Sequence, residues 1–111
     1  MSDHPLLVLN SSKLLDAGTY VYAPLATDEA RELAATASSI ISAIGHPATA
    51  AVLTRDLGTD IAHRRVQLTH QAIGQTAVVI DLHARVSFGQ ELSVADIDRI
   101  GYHLMTLTRT A

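Results

Sequence analysis

The chain has 111 residues, 48% of them hydrophobic and 17% charged, enough for one hydrophobic core and too few for two independent ones. A formal charge of −3, with lysines and arginines scattered, offers no basic surface for long nucleic acid, and one Phe, three Tyr and no Trp leave few platforms for stacking the bases of a single strand. The lack of cysteine excludes disulfides, thiolate zinc sites and cysteine nucleophiles and fits a cytoplasmic location, while no basic leader or long apolar run points to secretion or a membrane.

In chain order, Leu6 to Asn10 reads as a buried strand, and Thr19 to Tyr22 as a second strand that Pro24 stops. Thr27 is the expected N-cap of a helix running to about Ala37, with Asp28 and Glu29 where the helix dipole favours acids. Ser39 to Gly45 follows as an apolar strand. Pro47 suits the first helical position and Gly58 a C-terminal stop, which predicts a helix over Pro47 to Leu57 with His46 at or beside its N-cap.

Ile61 to Gln67 is expected to be extended, and Thr76 to Val86 is the most readable strand. Alternation places Val78, Ile80, Leu82, Ala84 and Val86 on a core face and Val79, Asp81, His83 and Arg85 on the other. Ser93 and Asp96 have capping-box spacing, and Ile97, Ile100, Leu104 and Leu107 continue at helical intervals, so the last segment is expected to be a packing helix. The resulting order, β-β-α-β-α-β-β-α, implies one α/β domain of mixed α+β character over residues 1–111, with a central mixed sheet and flanking helices.

The stretch SAIGHPATAAVL, Ser42 to Leu53, holds the most suggestive chemistry. A strand ending in Gly45 and feeding a helix at Pro47 is a natural anion site, because unpaired backbone N–H groups and the positive end of the dipole point outward there. His46 would stand beside a bound phosphate, which favours the imidazolium, and an imidazolium can protonate a departing phosphodiester oxygen. The plainer alternative is that His46 only caps the helix. Asp81, His83 and Arg85 share a strand face, and Arg85 suits a forked grip on phosphate; a solvated face or an Asp81–Arg85 ion pair explains them equally.

Asn10, Ser11 and Ser12 can donate or accept hydrogen bonds to ribose hydroxyls and base edges, or simply make a turn. Adjacent Arg64 and Arg65 point to opposite faces if extended. None of the six histidines pairs with an acid at helical i, i+4 spacing in the usual register, and no serine lies in a nucleophile elbow, so neither a metal or other cofactor nor a Ser-His-Asp triad is expected.

Taken together, LLVLNSS, GTY, SAIGHPATA, RVQL and VVIDLHARVSFGQELS resemble the viral and CRISPR-associated ring nucleases of type III CRISPR systems, a family first described as small viral and bacillar proteins of unknown function. The similarity runs from Leu6 to about Thr108, and is most specific in S-x-I-G-H-x-x-T and in the arginine ending the long strand. The resemblance implies a homodimer with a sheet of about five strands in each subunit that encloses cyclic tetra-adenylate and cuts it without metal. The ribose 2′-OH attacks the adjacent phosphorus and leaves a 2′,3′-cyclic phosphate. By the same resemblance His46 is the general acid and Arg85 the phosphate clamp and charge stabiliser, while Asn10 and Arg65 match ligand-contacting positions; Ser11, Ser12, Gly45, Thr49 and Asp81 complete the expected binding set. A twofold dimer also suits a ring of four identical nucleotides, since the same residues can meet opposite phosphates.

Three positions depart from the family pattern. Phe88 stands where a glutamate three residues after the arginine is usual, with Glu91 a further three residues on. Asp81 replaces a common glutamine, and Ala48 a common serine. The missing glutamate opens two alternatives to a fast nuclease: a slow one, or a protein that sequesters the ring uncut. A dimeric regulatory module with no nucleotide ligand is the third reading.

Overall fold

A computed structural model describes residues 4–11, 15–84 and 91–111. Eight elements follow in the order β1 (Leu6–Leu9), β2 (Tyr20–Leu25), α1 (Thr27–Thr36), β3 (Ile40–Ala43), α2 (Pro47–Leu57), β4 (Thr76–Leu82), α3 (Val94–Ile100) and β5 (Tyr102–Arg109). The five strands form one mixed sheet in the order β2-β5-β4-β1-β3. β1 runs parallel to both β3 and β4, whereas β5 is antiparallel to β4 and to β2. The expected mixed five-stranded α+β domain is the fold observed.

Three of the expected elements differ. The last helix ends at Ile100, because Gly101 takes φ +84 and sends the chain back as β5, so Leu104 and Leu107 are strand residues rather than helix residues. Ile61 to Gln67 contributes a single bridge, Ile44 to His63, and is not a sheet strand; the fifth strand is β5 instead. Pro24 does not stop β2 but sits one residue before its end, which the edge position of that strand tolerates. β4 ends at Leu82, and Arg85 to Gln90, with Phe88, lie outside the described residues.

All three helices cover one face of the sheet. Val8, Ile44, Val78, Ile80 and Leu104 meet Ala30 and Ala34 of α1, Val52, Leu53 and Leu57 of α2, and Ile97 of α3. The opposite face is apolar too: Leu7, Leu9, Ala43, Ala77, Val79, Met105 and Leu107 are buried there under Leu15 and Leu68 from connecting segments. Central strands buried on both faces read as continuous apolar runs. Val79 is therefore a core residue, and the polar face expected for β4 begins only at Asp81.

Capping follows the sequence closely at α2 and α3. Gly58 ends α2 at φ +70 with its N–H on Thr54 O, and Ser93 Oγ accepts from Asp96 N at 3.1 Å while Asp96 returns a bond to Ser93 N at 3.0 Å. For α1 the N-cap is Ala26 rather than Thr27, with Glu29 accepting from the Ala26 N–H at 3.3 Å. Buried Gln71 joins the segment before β4 to the sheet, donating to Gln75 O at 2.6 Å and Leu107 O at 2.7 Å. Among the described residues no helix is long and apolar enough to cross a membrane.

Candidate functional site

His46 is the N-cap residue of α2, with extended backbone (φ −124, ψ 124), an exposed side chain and no side-chain capping hydrogen bond. His46 thus caps α2 through its backbone alone, and its imidazole makes no capping bond. The first intrahelical bond runs from Ala50 N–H to His46 O at 3.1 Å. Pro47 has no N–H, so the N–H groups of Ala48 and Thr49 are left without an intrahelical acceptor. The Thr49 side chain is only 5% exposed, so what Thr49 offers at the mouth is its backbone rather than its hydroxyl.

The segment after α2 closes one side of this mouth. Arg64 N–H donates to Ile44 O at 2.8 Å, Ser42 Oγ donates to Ala62 O at 2.7 Å, and His63 Nε2 lies 3.2 Å from Gly45 O. A carbonyl only accepts, so that contact sets the proton of His63 on Nε2. A Cβ built on Gly45 would stand 3.8 Å from Arg65 Cγ, which places the Arg65 stem against the glycine. Arg65 and His63 are therefore both gathered against Gly45 at the mouth. Nothing local marks His63, since its position depends on a single bridge between distant residues.

β1, β3 and β4 are parallel, so their carboxyl ends open on one edge of the sheet, the edge at which α/β proteins bind ligands. Asn10 and Ser11 follow β1 there, both exposed, and Gly45 and His46 follow β3. Asp81 lies near the end of β4. Its partner is His103 of β5, whose Nε2 is 3.2 Å from Asp81 Oδ2, and His83 Nε2 lies 3.0 Å from His103 Nδ1. His103 escaped sequence reasoning because it was placed on a helix. Ser12 and Arg85 lie outside the described residues, as does any Asp81–Arg85 pair. A depression of about 240 Å³ lined by Leu15, Asp16, Tyr20, Tyr22 and Leu107 contains none of the expected site residues.

A second polar network is structural. Arg55 of α2 grips Asp98 of α3 with two bonds of 2.9 Å and reaches Tyr102 at 3.1 Å, while the Tyr102 hydroxyl donates to Asp56. The Arg55 bond holds the Asp98 carboxyl below its ordinary 3.8, and the Ser93 N–H does the same for Asp96. Burial, then the bond to Asp56, raises the Tyr102 phenol above 10.0. A lowered carboxyl contributes stability that is present above pH 3.8 and lost as pH falls through the folded value; a raised phenol contributes below pH 10.0 and loses it as pH rises through the folded value. Tyr102→Phe is thus expected to flatten the alkaline decline of the urea midpoint and to cost about 1 kcal/mol at neutral pH. Asp98→Asn should lower the midpoint at neutral pH and converge on wild type as pH falls, which flattens the acid decline.

Among the described residues no group of three or more His, Cys, Asp or Glu side chains is placed to hold a metal ion. The site thus belongs to a small mixed-sheet α/β protein with a helix mouth, an uncommitted histidine and an arginine at the carboxyl edge of its parallel strands. Residues 6–104 match the family described as STIV B116-like, and the chain belongs to that family. Its fold is similar to the solved structure of B116 of Sulfolobus turreted icosahedral virus, with TM-score 0.69 and 21% identity over 96% of this chain and 100% of that one. No curated protein matches the chain.

Proposed function

We propose that the protein is a ring nuclease: a homodimer that binds cyclic tetra-adenylate, the second messenger of type III CRISPR defence, and cuts it without metal to linear di-adenylate ending in 2′,3′-cyclic phosphate. The observation that carries this reading is the helix mouth, where His46 carries an exposed imidazole with no capping bond at the start of α2 and the preceding Gly45 lies against the Arg65 stem. A phosphate seated on those N–H groups is stabilised by the dipole and in turn favours the imidazolium. His46 then protonates the departing 5′-oxygen as the ribose 2′-oxygen bonds to phosphorus. Arg85 clamps the phosphate, with Asn10, Ser11 and Ser12 set against sugar and base edges. Two subunits related by a twofold axis present this set to opposite phosphates of the ring.

Phe88 in place of an acid favours a second reading, in which the ring is held and cut slowly or not at all. Incubation with labelled cyclic tetra-adenylate and EDTA separates the two. Appearance of di-adenylate with 2′,3′-cyclic phosphate ends is expected. An intact ring recovered in a complex of one ring per dimer would make the protein a sequestering one. A ligand at 100 times its Kd should stabilise the fold by about 2.7 kcal/mol, so no thermal shift with any cyclic oligoadenylate would remove the nucleotide altogether and leave a regulatory module.

A further inference from the structure

His46 is held at the helix mouth from two sides, and the two sides differ. On the helix side Pro47 confines the residue before it to the extended region, and His46 stands there at φ −124 and ψ 124. On the strand side is Gly45, the residue type least able to hold a peptide plane in one orientation. Neither backbone nor packing calls for glycine there. Its φ is not positive, and among the described residues a Cβ on it would meet only Arg65 Cγ, at the ordinary contact distance of 3.8 Å. The peptide between Gly45 and His46 is therefore the loose joint through which the imidazole is aimed.

The segment after α2 takes hold of that joint. Ile44 pairs with His63 in a parallel bridge, and the carbonyls of Ile44 and Gly45 receive in turn the Arg64 N–H at 2.8 Å and His63 Nε2 at 3.2 Å. In a trans peptide the C=O and the N–H lie in one plane and point opposite ways, so a donor on Gly45 O also sets the His46 N–H and the bond leading to the His46 Cα. The donor is present in both protonation states of the His63 ring. A neutral imidazole facing a carbonyl keeps its proton on Nε2, and an imidazolium carries one there as well. Because His63 is exposed, the bond competes with water and contributes little to stability; what it contributes is orientation.

We infer that His63 is a positioning residue of the reaction, its Nε2–H holding the peptide of Gly45 and His46 so that the His46 imidazole meets the departing oxygen. This inference rests on the ring-nuclease reading, in which His46 is the general acid. His63 exchanges no proton with the substrate. The 2′-oxygen bonds to phosphorus, the bond from phosphorus to the 5′-oxygen breaks, and that oxygen takes the proton of His46, as before. A general acid acts only within hydrogen-bond reach of the atom it protonates, and a displacement of about 1 Å can cost about 10²-fold in rate.

The test compares the wild type with His63→Gln, whose side-chain amide keeps an N–H near the place of Nε2, and His63→Leu, which has similar bulk and no donor. In the ligand-free protein the backbone amide order parameters of Gly45 and His46 should stay near about 0.85 in the wild type and His63→Gln and fall toward about 0.6 in His63→Leu, with melting temperatures unchanged. In single-turnover cleavage of cyclic tetra-adenylate, His63→Leu should be slower by about 10- to 10²-fold with affinity within about twofold, and His63→Gln should remain within about threefold of wild type. The pH–rate profile of His63→Gln should keep the wild-type shape, since the donor it replaces does not titrate away. Unchanged order at His46 in His63→Leu overturns the inference. So does a loss of cleavage as deep in His63→Gln as in His63→Leu, or a weakened affinity in both, which would make His63 a group that meets the substrate itself; in all three cases the nuclease reading stands. A wild-type protein that leaves the cyclic substrate uncut removes the nuclease reading and this role of His63 together.

Discussion

His46→Ala is expected to lower cleavage of cyclic tetra-adenylate by about 10²- to 10⁴-fold, the usual contribution of a positioned general acid, while ring affinity stays within a few-fold of wild type. The separation follows from the geometry. His46 caps α2 through its backbone, and its side chain makes no capping bond, so alanine removes an exposed imidazole and leaves the helix start in place. The groups expected to hold the phosphate, the N–H groups of Ala48 and Thr49 with the Arg65 side chain, are untouched. Thermal stability should move by less than about 0.5 kcal/mol, as for other exposed positions. Single-turnover cleavage, calorimetric binding and a melting curve on the same preparation check all three. Turnover equal to wild type would take the acid role away from His46, and loss of affinity would make it a phosphate ligand instead.

The helix mouth was legible because its signals are local. A strand-ending Gly45, Pro47 at N1 and Gly58 in the left-handed region each act on their own residue, and α2 falls on the predicted bounds. The C-terminal segment was not legible for the opposite reason. Ile97, Ile100, Leu104 and Leu107 fit a helical period, yet they divide between α3 and β5 because Gly101 turns the chain and β5 gains two partners in the sheet. Gly101 directly after Ile100, and the threonines at Thr106 and Thr108, were the available signs of that change. The error reached the site as well. With a helix expected over His103, nothing local sets that residue opposite Asp81, and its place there comes only from the pairing of β4 with β5. Likewise alternation alone puts Val79 on the non-core face with Asp81, whereas the segments carrying Leu15 and Leu68 return to cover it.

Ile44→Ala is expected to cost about 3 kcal/mol, within the range for a large buried aliphatic cut to alanine and a large fraction of what a domain of this size possesses. Ile44 has no exposed surface and packs in the cluster between the sheet and the helices. Its backbone does more than pack: the carbonyl receives Arg64 N–H at 2.8 Å, the N–H meets Ser42 Oγ at 3.3 Å, and Gly45 and His46 follow directly. A cavity at Ile44 therefore opens beneath the helix mouth. Leu53→Ala is the control, since Leu53 is equally buried in the same cluster but lies in the body of α2, away from its first turn. Urea midpoints should fall similarly in both variants with unchanged m, whereas ring binding, measured well below either transition, should weaken only in Ile44→Ala. Equal affinities would mean that the mouth keeps its shape through the Arg64 bond and Pro47 alone; equal weakening would mean that binding follows the stability of the whole domain, with no special dependence on the residue beneath His46.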